Sequence, residues 1–331
     1  MERAGNSGHH FKKHRFTEGA PRENLHPLVA RWGTATETRQ PTEKDPTPRN
    51  QDAWFALPEK GAFGIFDGVG ISDAAQDTSD FIQEAIAQLP PDNELSENDL
   101  ITQLKTILQN AHQRLLGRPD AATKDGTTAT IVKLWQTPEG KKKAIFLQVG
   151  DSRGYIKRAG QDIEQVTVDD DILPLGLVDK TEAPEIRNKM KNVEKLSELS
   201  EDATFEWTWG IPFLKEDAAG NPFRTVGNSI SEQDIFYNRN RLVYSLGGVM
   251  KEPTVTSVDV ETGDLLLLTS DGVTDNSTEI QLNNQMKPRR HPRDKVKDIV
   301  SNAKRKSMES WTIKNIRPKN DDITAEIIEV R

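Results

Sequence analysis

The five residues Leu265-Leu266-Leu267-Leu268-Thr269 constrain the fold more than any other stretch. Four consecutive leucines after the turn signal Gly263-Asp264 leave no polar face. Such a strand has to be buried on both sides. The chain leaves it at Ser270 and sets Asp271 at its end, and Gly272 permits a sharp turn there. Asp275 follows four residues after Asp271, so a helical turn brings both carboxylates to one side. A buried strand ending in paired carboxylates is a place for a hard cation. For this stretch alone, an Asp-Gly turn with Asp275 as a helix cap is the favoured account, and the case for a cation rests on the rest of the chain.

The same pattern recurs along the chain. Residues 28–38 read as a first strand carrying Trp32, followed by a Pro- and charge-rich link over 40–48. Residues 53–57 and 62–66 form a hairpin about Pro58-Glu59-Lys60-Gly61, and this register sets Asp52 opposite Asp67 at the open end. Opposed side chains have β-carbons about 4.5–5.5 Å apart, where like charges destabilise unless a cation lies between them. Two amphipathic helices are predicted next, over 78–89 and 98–116. The stripe of the second is Ile101, Leu104, Ile107, Leu108, Ala111 and Leu115, with a capped start at Ser96 and Asp99. His112 beside that stripe reads as a core-edge residue.

A second hairpin, 127–135 with 143–149, ends at Gly150-Asp151. Asp125 and Asp151 are symmetric about Pro138 and share its open end. A short hairpin follows over 154–158 and 163–167. Residues 168–238 differ: polar, Glu- and Lys-rich, and carrying Trp207 and Trp209, they read as a mobile subdomain laid over the core. The two tryptophans either contact a substrate or form the insertion's own small core. The core resumes at 241–248, then a strand over 254–260, the leucine strand, a basic segment over 287–306 containing a helix, and a last strand over 323–330 entered through Asn320-Asp321-Asp322. The basic segment reads as a solvated helix face rather than a surface that steers phosphorylated partners.

Composition narrows the chemistry. With no cysteine, thiolate metal sites, disulfides and a cysteine nucleophile are excluded. A net charge of -8 argues against a general nucleic-acid binder. No apolar run approaches a membrane span and no signal peptide is read, so the expectation is a cytoplasmic protein with no membrane partner. Residues 1–27, with His9, His10 and His14 among lysines and arginines, read as a flexible basic tail. Asp52, Asp67, Asp151, Asp271, Asp275 and Asp321 all stand where a strand meets a turn, and no histidine or cysteine adjoins them. An all-oxygen set favours Mg²⁺ or Mn²⁺. Two such ions activate water and neutralise phosphate oxygens, and phosphoryl transfer needs little more from a protein.

The ordered series Arg49-Asn50-Gln51-Asp52, Phe66-Asp67-Gly68-Val69-Gly70, Asp125-Gly126-Thr127-Thr128-Ala129, Val149-Gly150-Asp151-Ser152-Arg153, Leu246-Gly247-Gly248, Thr269-Ser270-Asp271-Gly272-Val273-Thr274-Asp275 and Asp321-Asp322-Ile323-Thr324 resembles the metal-dependent serine/threonine protein phosphatases of the 2C type. The resemblance covers residues 28–330. It implies an α+β fold, an αββα four-layer sandwich of two antiparallel sheets flanked by helices, with 168–238 as an enlarged flap of a single domain over 28–331. It further implies that Asp67 bridges two Mg²⁺ or Mn²⁺ ions, that Gly68 offers its carbonyl oxygen, and that Asp271 and Asp321 complete the first site. Asp52 acts on the second ion through water, and Asp151, Asp271 and Asp275 match a third, weaker site. A bridging water is then the nucleophile and no phosphoenzyme forms.

Three positions depart from the family pattern. The usual phosphate-binding arginine position is Thr47, which leaves Arg49 as the candidate phosphate contact. Val69 stands where the animal branch has a histidine, which indicates the bacterial-like branch. Ile71 replaces a frequent second glycine. The expected activity is dephosphorylation of phosphoserine and phosphothreonine in a protein partner by a monomeric enzyme. The alternatives are a non-catalytic interaction module that keeps the fold and a phosphatase acting on a small phosphoester.

Overall fold

In chain order the elements are β1 (Val29–Glu37), β2 (Ala53–Leu57), β3 (Ala62–Phe66), β4 (Gly68–Val69), α1 (Ala74–Ala87), α2 (Glu97–Leu116), β5 (Gly126–Thr127), β6 (Ala129–Gln136), β7 (Lys142–Val149), β8 (Arg153–Lys157) and β9 (Glu164–Gln165). They continue with α3 (Ala183–Met190), β10 (Thr204–Glu206), β11 (Phe213–Glu216), β12 (Pro222–Thr225), β13 (Ser229–Ser231), α4 (Glu232–Tyr237), β14 (Thr254–Asp259), β15 (Leu265–Thr269), α5 (Asp271–Asn276), α6 (Glu279–Gln285), α7 (Pro292–Ser307) and β16 (Ile323–Val330). The structure, a computed structural model, describes residues 25–331 apart from 44, 71–72, 119–124, 138, 171–180, 182, 201–203, 207–212, 217–221, 226–228, 240–241, 288–289 and 313. The basic tail before residue 25, Ile71, Trp207 and Trp209 therefore lie outside the described residues.

Two five-stranded antiparallel sheets carry the fold, in the orders β1-β16-β15-β8-β9 and β14-β7-β6-β3-β2. The leucine strand shows why they stack. Leu266 and Leu268 point into the layer between the sheets, where they meet Phe63, Ile65, Val132, Phe146 and Ile328. Leu265 and Leu267 point the other way, into a layer with Val296, Ile299, Val300 and Ala303 of α7. Period-two alternation with both faces apolar demands both layers. The second sheet is covered on its outer face by α1 and α2 through Ile82, Ile86, Leu104, Leu108 and Leu115. The result is the expected αββα order.

Local expectations hold where side chains decide them. Ser96 caps α2, its Oγ accepting from the Asp99 backbone N–H at 3.2 Å and donating to Asp99 Oδ2 at 2.6 Å. Leu100 rather than Ile101 is the buried first residue of the α2 stripe. Helix α1 begins four residues before Thr78, because Ala74 and Ala75 are buried against the sheet as its first turn. His112 accepts the Gly247 N–H on Nδ1 at 3.0 Å, which fits a core-edge role. The expected strand over 163–167 shrinks to the two residues of β9. Residues 242–248 form no strand, and only Leu246 bridges to Thr127.

Hairpin β2–β3 has the register read from sequence, from Ala53↔Phe66 to Leu57↔Ala62. The β6–β7 register, from Ala129↔Val149 to Gln136↔Lys142, is different. It centres on Glu139, so the symmetric pairing of Asp125 with Asp151 is a correction. The turn centre one residue later shifts the partner of each position by two, and the chain before Thr128 also leaves the sheet as β5 and pairs with β4.

Within 168–238, the described residues form α3, two two-stranded ribbons and α4. They have a core of their own, Ala183, Ile186, Met190, Val193, Leu199, Ile230, Ile235 and Phe236, closed by Ile316 from the loop before β16. In the basic segment α7 is helical, but Lys295 is buried, and Arg305 pairs with Glu309 at 2.7 Å.

Candidate metal centre

The six aspartates come from one end of both sheets. Asp52 precedes β2 and Asp67 follows β3, so the hairpin's open end carries both. Asp151 lies in the crossing between β7 in one sheet and β8 in the other. Asp271 opens α5 at the end of β15, Asp275 is one turn on, and Asp321 precedes β16.

Two glycines allow the backbones to meet. A Cβ on Gly272 would lie 1.9 Å from the Asp322 carbonyl oxygen, so only glycine lets α5 start against the chain carrying Asp321. Gly150 has φ +106°, and a Cβ there would strike the Thr128 side chain at 2.6 Å.

Hydroxyls and one buried carboxylate fix the frame. Ser270 Oγ donates to Asp52 Oδ2 at 2.8 Å. Thr128 Oγ1 accepts the Asp67 N–H at 3.0 Å and contacts Ser152 Oγ at 2.8 Å. Asp322 is buried and receives the Arg39 N–H at 2.8 Å, Arg39 Nη1 at 2.8 Å and the Gln51 N–H at 2.9 Å. It thereby ties the end of β1, the approach to Asp52 and the start of β16 together.

The electrostatics are those of acids forced together. Burial, then the charges of Asp271, Asp52, Asp321 and Asp151, hold the Asp67 carboxyl well above the usual range. Asp52 is raised by burial and Asp322, against hydrogen bonds from Thr324 and Ser270. Asp151 is raised by burial, Asp271 and Asp169. Asp321 is pushed up to about 6, first by burial and then by Asp271. Asp271 goes the other way. Burial raises it, but the adjoining Lys319 ammonium and the Arg153 charge outweigh that and hold it low.

Lys319, which the sequence reading passed over, sits in the middle of this cluster. Its Nζ lies 2.6 Å from Asp271 Oδ2, 2.9 Å from Asp275 Oδ2 and 2.8 Å from Asp321 Oδ2. No signal in the sequence singles it out, since a lysine two residues before an aspartate reads as surface.

The donor set has the chemistry of a hard-cation site on the Asp67 side. Asp52 Oδ1 and Asp271 Oδ1 are buried and receive no donor. An oxygen-only, mutually repelling set with orphaned oxygens is what a divalent ion satisfies. Asp67, Asp271, Asp321 and Asp52, with the Gly68 carbonyl, fit such ions in kind. As they stand, no three carboxylates among the described residues converge as an ion cage. The third set, Asp151 with Asp271 and Asp275, has Lys319 and Arg239 against Asp275, and Lys319 also meets Asp271 and Asp321 of the first set; Asp275 Oδ2, like Asp271 Oδ1, has no hydrogen-bond partner. Arg49 is exposed three residues before Asp52, with no side-chain hydrogen bond or ion pair among the described residues. Val69 is 38% exposed at the mouth, so no protein acid stands at that position.

Residues 43–173 match the protein phosphatase 2C family. No curated protein matches the chain. Among solved structures, PstP/Ppp from Mycobacterium tuberculosis aligns with a TM-score of 0.61 at 19% identity, covering 92% of this chain and all of that one. MsPP from Mycobacterium smegmatis, solved with cacodylate, aligns with 0.59 at 19% identity and the same coverage. A PstP catalytic domain holding two manganese ions aligns with 0.57 at 20% identity, covering 92% of this chain and 99% of that one. At these identities the structural matches speak to the fold. Residues 43–173 thus resemble protein phosphatase 2C, and the chain shares the fold of these bacterial serine/threonine phosphatase structures.

Proposed function

We propose that the centre hydrolyses phosphoserine and phosphothreonine in a protein partner, with Asp67, the Gly68 carbonyl, Asp271 and Asp321 as ion ligands and Asp52 acting through solvent. When bound, Mg²⁺ or Mn²⁺ supplies an activated water and neutralises phosphoryl charge. Asp67 feels the charges of both Asp271 and Asp52, which supports it as a ligand for divalent ions there. Ser270 holds Asp52 by its Oδ2 and leaves Oδ1 to orient solvent. Arg49, exposed at the approach to Asp52, is the proposed contact to the phosphate. With Val69 at the mouth, solvent protonates the leaving serine or threonine oxygen.

The carrying observation is the group of buried acids raised by one another, with orphaned oxygens at Asp52 and Asp271. Among the described residues no helix is long and apolar enough to cross a membrane. The proposed setting is the cytoplasm, with a phosphorylated protein as partner and a monomeric enzyme.

The test is release of phosphate from phosphothreonine peptides with Mn²⁺, with Mg²⁺ and with EDTA, beside Arg49→Ala. Metal-dependent release whose KM rises in the variant supports the reading. Turnover of small phosphoesters with none of phosphopeptides would move the substrate to the small-molecule class.

A further inference from the structure

Lys319 and Arg239 enclose Asp275. The Lys319 ammonium is 2.9 Å from Asp275 Oδ2, and Arg239 Nε is 3.5 Å from Oδ1. Arg239 is held in place, its guanidinium 3.9 Å from the centroid of the Phe236 ring and its Nη1 donating to the Phe236 carbonyl at 2.9 Å. Both oxygens of Asp275 therefore lie within ion-pair distance of a cation, with Asp275 Oδ2 and Arg239 Nε making no hydrogen bond. The Asp271 carboxylate is divided. Its Oδ2 takes the ammonium at 2.6 Å, and its Oδ1 receives no donor.

An ammonium is a compact point charge with three donors, and here three carboxylate oxygens from Asp271, Asp275 and Asp321 meet it within 2.9 Å. The lysine and the arginine together supply two positive charges, the charge of one divalent ion. A divalent ion on the Asp151, Asp271 and Asp275 side would have to share oxygens with that ammonium and would be repelled by it. Asp271 and Asp321, read above as ligands of the first ion, also give Lys319 their Oδ2 oxygens, but Asp271 keeps Oδ1 open.

We propose that Lys319 is a resident cation that takes the place of the third divalent ion, so that this centre binds two ions and no more. The inference rests on the two-ion reading above. Its test counts metal instead of turnover. The full chain and the variants Lys319→Ser and Lys319→Met are dialysed to equilibrium against saturating Mn²⁺, and bound manganese per chain is measured by atomic emission. Circular dichroism verifies that each variant is folded, and Lys319→Met keeps most of the apolar stem while removing the charge.

The expected result is two ions in the wild type and three in both variants. Three ions in the wild type, or two in folded variants, overturns the inference while leaving the two-ion reading intact. No bound ion in the wild type overturns that reading and the inference with it. A second measurement uses the wild type alone: acetylation of Lys319, read by mass spectrometry with and without Mn²⁺. Equal protection is expected, and a rise in labelling on saturation would show the ammonium displaced by the ion and overturn the inference.

Discussion

Replacing Asp67 with asparagine separates the two roles the structure gives this residue, a strain on the fold and a ligand to metal. Asp67 is held well above the usual carboxylate range by burial and by four neighbouring aspartates. Two charges about 4 Å apart at an effective dielectric near 20 repel by about 4 kcal/mol, part of which the carboxyl avoids by keeping its proton. Each pKa unit of that retention costs about 1.4 kcal/mol at neutral pH. Asp67→Asn keeps the shape and removes the charge, so the metal-free protein should gain about 1–3 kcal/mol. With an unfolding entropy of about 2.1 cal/mol/K per residue over about 300 ordered residues, that is a rise in Tm of about 2–5 °C. In the wild type, Mn²⁺ at 100 times its Kd adds about 2.7 kcal/mol, or about 4 °C. The variant should lose that increment together with turnover. Thermal melts of both proteins in EDTA and in Mn²⁺ measure all four quantities. A variant less stable than the wild type in EDTA, or one that keeps the full Mn²⁺ shift, would refute the reasoning.

Three further outcomes follow from single contacts. Gly272→Ala places a Cβ 1.9 Å from the Asp322 carbonyl oxygen and should cost about 3 kcal/mol or more in urea unfolding, whereas Gly117→Ala, with its nearest neighbour at 3.5 Å, should change stability by less than about 1 kcal/mol. Asp92 pairs with the buried Lys133 ammonium at 2.8 Å and 2.9 Å, so Asp92→Ala strands a charge and should cost about 3–5 kcal/mol in denaturant unfolding, against a near-neutral Lys133→Met Asp92→Asn double variant. Glu326 is buried, with Thr34 donating to Oε1 at 2.8 Å and no partner for Oε2, and burial raises its carboxyl well above the usual range. Its folded pKa exceeds its unfolded one, so its contribution is complete below about pH 4.5 and is lost as pH rises. Unfolding free energies between about pH 5 and about pH 9 should fall less steeply for Glu326→Gln than for the wild type, and parallel slopes would contradict this.

The legible parts of the sequence were those where one local rule decides. A four-residue turn and the constant-sum pairing it imposes set the β2–β3 register to the residue, and with it Asp52 and Asp67 at one open end. The four leucines required two covering layers, and the structure supplies them from a second sheet and from α7. The β6–β7 register was off by two positions at Asp125 because the turn centres on residue 139 and not 138, and nothing in a run of Gly-Thr-Thr-Ala announces that the chain also changes partner at Thr128. Leu100 and Ile101 are adjacent apolar residues, and only the docking angle of α2 selects between them. Lys319 and Asp322 were illegible for a stronger reason. Their roles come from Asp271 and Asp275, more than 40 residues earlier, and from Arg39 at the other end of the chain. Through-space contacts between charged residues leave no periodicity to read.

The most direct test of the central claim, a phosphatase run by carboxylate-held metal ions, is hydrolysis of p-nitrophenyl phosphate with Mn²⁺, with Mg²⁺ and with EDTA, beside Asp271→Asn. Asp271 is the carboxylate held low among raised neighbours, with one oxygen open and one on Lys319. Turnover that requires the divalent ion, vanishes in EDTA and is lost in a folded Asp271→Asn is the predicted result. Wild-type turnover by that variant in Mn²⁺, or no turnover and no metal binding by the folded wild type, would contradict the account.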